Sequence, residues 1–240
     1  MFYNNKCMIY RNEWKYTCKK ADLAKIENRI NNILYLDEHI DKNKGFYNIH
    51  SLYFDDYKNS CANDNDAGVN RRYKWRIRYY DNDLSTLCLE QKIKYNGMCY
   101  KKQCKIDIDT YNNIINNDID KVIWGNNQDK LLIQFCKDIL SKLYSPKIIV
   151  DYERRAYIEE FNNVRVTFDC NISVSKDIDR FLTGDYSSIP LLTNNNHVLE
   201  VKFDYMLPSY INKLVDIDNI SQNSFSKYYL GVQRIGRTFI

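Results

Sequence analysis

Between Arg72 and Tyr79 the chain alternates a base with an apolar or aromatic group. Arg72, Lys74, Arg76 and Arg78 fall on one parity, and Tyr73, Trp75, Ile77 and Tyr79 on the other. Successive side chains of an extended strand point to opposite faces, so this stretch makes a strand with one cationic and one greasy face. A helix would scatter the same residues around its axis. The rhythm recurs along the chain. Residues 10–16 set Arg11, Glu13 and Lys15 against Tyr10, Trp14 and Tyr16, and residues 87–94 set Glu90, Lys92 and Lys94 against Leu87, Leu89 and Ile93. Residues 164–169 set Arg165, Thr167 and Asp169 against Val164, Val166 and Phe168, and residues 198–203 set Glu200 and Lys202 against Leu199, Val201 and Phe203. Further strands are predicted over 49–54, over 148–157 with Tyr152 and Arg154, and over 101–108, which returns from an Asn96-Gly97 hairpin turn.

Two stretches carry helical spacing instead. Leu23, Ile26, Ile30, Ile33 and Leu34 form one stripe, and Leu131, Leu132, Phe135, Ile139 and Leu143 form another within 129–144, ended by Pro146. Short helices are predicted around 210–215 and 225–230, and the Asn/Asp-rich segment 59–70 reads as a loop. Hydrophobic residues make up 44% and charged residues 28% of the 240, enough for a core and against wholesale disorder. No compositional break marks a boundary, so residues 1–240 read as a single α+β domain.

The distribution of charge is more informative than its sum, which is only +4. An ordinary wet face mixes signs, because like charges repel along and across strands. Here bases recur on one parity of strand after strand (Lys15, Arg76, Arg78, Lys92, Lys94, Arg154, Arg165, Lys202), with Glu13, Glu90 and Glu200 as sparse acids. A solvated outer face accounts for any one strand alone. All of them together fit an antiparallel barrel whose polar faces look inward and whose greasy faces are covered outside by helices. A cationic lumen is self-repelling when empty, so its natural occupant is a dense polyanion, a triphosphate or polyphosphate. The few carboxylates fit if that occupant arrives with a divalent metal.

Other classes fall away. No G-x-G-x-x-G or G-x-x-x-x-G-K-[ST] pattern is present. The 8 Cys include no C-x-x-C pair, and the 3 His have no ligand spacing to a Cys. Reduced thiols and a soluble, cytoplasmic protein are therefore expected, with no signal peptide. Apolar runs such as Lys147-Ile148-Ile149-Val150 are far shorter than the roughly 20 residues of a membrane span. Duplex nucleic acid needs an outward basic surface and is not expected as a partner. Trp14 and Trp75 fall on the greasy parity and read as outer-face core, His50 and His197 as bystanders. Glu13 is open between salt-bridge partner and metal ligand, Glu90 reads as an orienter of bases, and Asp55 and Asp169 serve equally well as turn caps or metal contacts.

The ordered motifs Arg11-Asn12-Glu13-Trp14-Lys15-Tyr16, Ser51-Leu52-Tyr53-Phe54-Asp55, Lys74-Trp75-Arg76-Ile77-Arg78, Leu89-Glu90-Gln91-Lys92, Asp151-Tyr152-Glu153-Arg154-Arg155-Ala156-Tyr157, Val164-Arg165-Val166-Thr167-Phe168-Asp169, Leu199-Glu200-Val201-Lys202 and Ser224-Phe225-Ser226-Lys227-Tyr228 resemble the VTC domain over nearly the whole chain. This is the polyphosphate polymerase domain of the CYTH-like triphosphate tunnel metalloenzymes. The resemblance implies that Lys15, Arg76, Arg78, Lys92, Arg154 and Arg165 hold phosphate in the reaction, and that Glu200 holds Mn²⁺ or Mg²⁺. It also implies phosphate contacts from Tyr152, Lys202, Ser226 and Lys227, from Lys94 where some fungal relatives have histidine, and from Lys101 or Lys102 with Lys105. The implied activity moves the γ-phosphate of ATP onto a growing inorganic polyphosphate chain. Hydrolysis of tripolyphosphate or a nucleoside triphosphate, and non-catalytic polyphosphate binding, are the alternatives. Arg11 stands where many tunnel enzymes open an E-x-E-x-K motif with an acid, as in the VTC branch, which argues against a two-metal triphosphatase.

Overall fold

The structure, a computed structural model, describes residues 10–125, 128–193, 195–216 and 221–238. Among them the strands are β1 (Asn12–Lys19), β2 (Tyr35–Leu36), β3 (Tyr47–Asp55), β4 (Arg72–Tyr80), β5 (Asp83–Tyr95), β6 (Met98–Lys105), β7 (Ser145–Glu159), β8 (Val164–Ser175), β9 (Ile189–Pro190) and β10 (Asn196–Phe203). The helices are α1 (Lys20–Ile30), α2 (Ser60–Asp66), α3 (Ile108–Ile115), α4 (Ile119–Ile123), α5 (Lys130–Lys142), α6 (Ser209–Val215) and α7 (Lys227–Thr238).

Eight strands form one antiparallel sheet in the order β1-β10-β8-β7-β3-β4-β5-β6. It curls so strongly that its two edges meet. Arg11, just before β1, exchanges two backbone hydrogen bonds with Cys99 of β6, 2.9 and 2.8 Å. Beyond that single bridge the free edge of β1 is taken by the segment leading into α7. Tyr16 bridges Gln222, and Asn223 N donates to Lys15 O at 2.8 Å. The α+β tunnel architecture expected from the alternating faces is the one observed.

The convex face carries the greasy parity. Trp75 is fully buried against Phe135 of α5, ring centroids 4.9 Å apart, and its Nε1 donates to Asp138 at 2.8 Å. Trp14 packs edge-on against Phe203 at 4.9 Å. Leu23, Ile26 and Ile30 of α1 cover the β1, β8 and β10 sector together with Val166, Leu199 and Val201. His50 also lies on this side, with Nδ1 2.8 Å from Asp151.

Four local expectations are corrected. Residues 60–66 form a helix, because the buried Asp55 carboxylate accepts from Cys61 N (3.0 Å) and Ala62 N (3.2 Å) and caps the first turn from another element. Ile33 lies beyond the end of α1 and is exposed, and Leu143 lies beyond α5 with φ 56° and is exposed too. The strand expected to run to Ile108 ends at Lys105, and α3 begins at Ile108 behind an Asp107 cap.

The largest departure is α7, which packs on the concave face and not outside. Tyr228 stacks on Tyr53 at 5.2 Å, and by register Tyr53 shares a face with Arg76 and Ile148. A Cβ on Gly231 would stand 2.6 Å from Ile148 Cδ1 and 3.0 Å from Val174 Cγ1, so a larger residue there would have to push these side chains aside. The seven described cysteines are free thiols, and Cys7 lies outside the described residues.

Candidate functional site

The concave face encloses a cavity of about 980 Å³. Lys15, Arg76, Arg78, Lys92, Arg154 and Arg165 all line it, as do Lys94, Tyr152, Glu200, Lys202, Ser226 and Lys227. Lys105 does not. It is exposed opposite Cys88 at the far end of β6, and Lys101, four pairs closer to the turn and opposite Lys92, is the β6 lysine in the wall.

Three sets of carboxylates hold these bases. Behind the wall, Glu90 takes Arg76 through Nε (2.6 Å) and Nη2 (2.5 Å), Lys101 at 2.9 Å and Arg78 at 3.6 Å. Burial works against the charge of Glu90, but these three cations keep its carboxyl well below the usual range. Asp169 likewise stands behind the wall. It accepts a two-point fork from Arg154, Nε at 2.7 and Nη2 at 2.8 Å, and Lys227 Nζ at 2.5 Å. Burial again opposes ionisation, and Arg154 and Lys227 overcome it, leaving Asp169 at about 2.

Glu13 and Glu200 differ in facing the cavity, where they are the lining carboxylates among the described residues. Lys92 Nζ sits 2.6 and 2.9 Å from the two oxygens of Glu13. Lys15 Nζ lies 3.6 Å from Glu13 and 3.7 Å from Glu200, and Lys202 Nζ contacts Glu200 and lies 3.7 Å from Glu13. Both acids are held low despite burial, chiefly by Lys15 and Lys92 on Glu13 and by Lys202 and Lys15 on Glu200. Burial brings Lys202 down to about 8 even beside Glu200 and Glu13.

Hydroxyls fix the remaining guanidinium corners. Arg76 Nη1 donates to Tyr53 OH at 2.9 Å, Arg78 Nη2 to Tyr152 OH at 3.1 Å and Arg78 Nε to Ser51 Oγ at 3.1 Å. Arg165 donates to Tyr47 OH at 3.0 Å and pairs with the buried Asp37. Ser226 precedes the first turn of α7, where its Oγ accepts from Tyr229 N at 3.3 Å. The seating of α7 therefore delivers Ser226 and Lys227 into the cavity.

Parity alone placed Lys74 and Arg72 on this face, yet neither was expected at the site; both line the cavity. Tyr53 carried no signal beyond its parity. Asp37 had none, since its partner Arg165 is distant in sequence.

A curled antiparallel sheet with a buried bed of arginine and lysine on its inner face is the construction of the CYTH-like triphosphate tunnel class. That class binds triphosphate substrates and generally works with a divalent metal. Residues 10–235 match the VTC domain, and the chain belongs to that family. No curated protein matches it in sequence. Among solved structures it is similar to a Hippeastrum adenylyl cyclase candidate described as having a dominant triphosphatase activity, with 11% identity, 87% of this chain and 84% of that one covered and a TM-score of 0.48. It is similar as well to the PH1819 protein of Pyrococcus horikoshii OT3, with 12% identity, 94% and 99% covered and a TM-score of 0.47. A Bacillus halodurans adenylate cyclase candidate has 11% identity, 95% and 90% covered and a TM-score of 0.45. No described helix is long and apolar enough to cross a membrane.

Proposed function

We propose that this protein is a polyphosphate polymerase-type phosphotransferase, moving the γ-phosphate of ATP onto a growing inorganic polyphosphate chain inside the tunnel. The observation that carries this reading is the seating of Arg76, Arg78 and Arg154. Arg78 and Arg154 are buried and Arg76 is mostly so, and all three converge on one cavity and are held by carboxylates and hydroxyls. Phosphoryl transfer has a loose transition state that asks for alignment and dispersed positive charge, and pre-fixed guanidinium forks supply both. An oxygen of the chain's terminal phosphate forms a bond to the γ-phosphorus, the bond from that phosphorus to the bridging oxygen breaks, and ADP leaves with the electron pair. Lys15 and Lys92 add point charge beside the forks, and Ser226 and Lys227 present the start of α7 to phosphate oxygens.

Glu200, with Glu13 beside it, is where Mn²⁺ or Mg²⁺ would be held. Among the described residues no three His, Cys, Asp or Glu side chains gather to hold an ion. Two hard oxygen donors facing the cavity fit a cation that takes its other positions from phosphate oxygens and water. When bound, that ion neutralises phosphate charge. Arg11, in the place of a further acid, pairs instead with Asp204 at 2.8 Å.

Incubation with ATP and Mn²⁺, read by gel for chain growth and by assay for orthophosphate, tests the reading. Long chains that vanish with Arg76→Ala support it. Orthophosphate without chains makes the protein a hydrolase, and binding without either product makes it a polyphosphate receptor; each refutes the polymerase.

A further inference from the structure

Arg165 is supported differently from the other tunnel arginines. Arg76 and Arg78 rest on Glu90, and Arg154 on Asp169, all strand carboxylates behind the wall. The counter-ion of Arg165 is Asp37, which follows the two-residue β2 and lies off the eight-strand path. The backbone there is pinned. Asp37 N donates to Ala156 O of β7 at 2.9 Å, Ile40 N donates to Asp37 O at 3.1 Å, and the Ile40 side chain is buried.

The Asp37 carboxylate is 2% exposed and is shared in two directions. Inward, its Oδ2 takes Nη2 of Arg165, and the same nitrogen donates to Tyr47 OH at 3.0 Å. Outward, its Oδ1 lies 2.8 Å from Nδ1 of His39 and accepts from the His39 amide at 3.1 Å. The His39 side chain is 76% exposed. Arg165 lines the cavity, whereas Asp37 and His39 do not. One buried carboxylate thus joins a solvent-facing imidazole to a guanidinium of the tunnel.

Burial works against the charge of Asp37, but the His39 bonds and the Arg165 guanidinium hold its carboxyl below the usual range. Arg165 faces the carboxylate from β8. Beyond it stand Tyr47 of β3, Lys202 of β10 on the paired strand, and Arg154 of β7, itself forked on Asp169. On the loop itself Glu38 is exposed, and Asp41 lies 3.8 Å from Lys44. Among the described residues His39 is the titratable group that meets this carboxylate from the solvent side.

We propose that Asp37 is a positioning residue that couples His39 to Arg165, so that protonation of His39 strengthens the tunnel's hold on a polyanion. The inference rests on the tunnel reading above and adds a regulation of that site. Beside a neutral imidazole, the carboxylate balances Arg165 alone. An imidazolium takes a share of the same negative charge, and the guanidinium keeps more of its own charge for the cavity. Linkage makes this reciprocal: a bound polyanion raises the proton affinity of His39 by the same factor.

The test is calorimetric titration of the intact protein with tripolyphosphate, without metal, at about pH 8 and about pH 5.5, on either side of the range in which an imidazole changes charge. Lys74, Lys202 and the ligand's terminal phosphates also change charge over this interval, but alike in every variant. The quantity read is therefore the difference between wild type and His39→Gln. Exposed charge pairs are worth a factor of about two to five. The two proteins should bind alike at the higher pH, and wild type should gain that factor over the variant at the lower one. An equal gain overturns the proposal. Asp37→Asn and Arg165→Gln cut the relay at its other members, and a His39-dependent gain that survives in either overturns it too. Should Asp37→Asn not fold, or Arg165→Gln not bind, the wild type still decides. Followed by NMR, the midpoint of His39 titration must rise by about 0.3–0.7 pH unit when tripolyphosphate binds; an unmoved midpoint refutes the coupling. Wild-type protein that binds no tripolyphosphate at either pH overturns the tunnel reading itself, which is a different result.

Discussion

Asp169→Asn offers the sharpest test of whether the lumen is built for an anion. The Asp169 side chain is fully buried and is shared by the Arg154 fork at 2.7 and 2.8 Å and Lys227 at 2.5 Å. The substitution keeps the shape and removes the charge, leaving two buried cations with no counter-ion behind them. Removing one partner of a buried pair costs about 3–5 kcal/mol, a large share of the roughly 5–15 kcal/mol that holds a domain together. For a chain of this size each kcal/mol moves the melting temperature by about 2–4 °C, so the empty variant should melt roughly 6–20 °C lower. The second half of the experiment adds tripolyphosphate. A phosphate placed between Arg154 and Lys227 replaces the lost charge, so the ligand must bind the variant more tightly and raise its melting temperature more than that of the wild type. Ligand at about a hundred times its Kd contributes about 2.7 kcal/mol, a difference easily read by scanning fluorimetry. A variant as stable as wild type, or one rescued less by tripolyphosphate, would refute the argument that these cations await an anion.

Three further outcomes follow from the same geometry. Asp169 is held at about 2, below its usual 3.8, so the unfolded chain takes up the proton first. Its stabilisation is complete above about pH 4 and is lost as pH falls toward 2; acid melts of the wild type should decline in that window more steeply than those of Asp169→Asn, and parallel curves count against it. Lys74, at about 7, is mostly neutral at pH 8 in the free protein, so binding of a polyanion should draw a proton from solution. Calorimetry in buffers of different ionisation heat should show that uptake reduced by Lys74→Met, and unchanged uptake would exclude the amine as its source. Finally, Trp75→Ala empties a convex-face site packed on Phe135 and should cost about 3–5 kcal/mol while the surviving folded fraction still binds tripolyphosphate; the folded fraction of Arg76→Ala should not bind it, and the reverse pattern of binding would exchange the two faces of β4.

The two faces of β4 also show where sequence reasoning works and where it stops. Alternation is local: adjacent side chains of a strand must diverge, so the composition of each face is readable before any fold is known. Trp75 went to the convex core and Arg76 to the cavity, as parity required. The same logic brought Lys15, Lys92, Arg154, Arg165 and Glu200 to one surface, and the resemblance supplied the distant Ser226 and Lys227. It left Lys101 or Lys102, with Lys105, open, because neither the parity of β6 that faces the cavity nor how far along the tunnel each lysine sits is readable from the chain. That distance is set by the register of β6 against β5.

From the chain alone came the strands, their cationic faces and the preference for a polyanion, since each depends on neighbours two residues apart. Tertiary structure decided what stands behind or beside each base. Glu90 and Asp169 lie behind the arginines while Glu13 and Glu200 face the cavity. Asp37 reaches Arg165 from another part of the chain, α2 forms because Asp55 caps it, and α7 seats on the concave face with Gly231 close against Ile148 and Val174. Each of these depends on groups far apart along the chain, whose encounter is settled only when the sheet curls and its edges meet at Arg11 and Cys99.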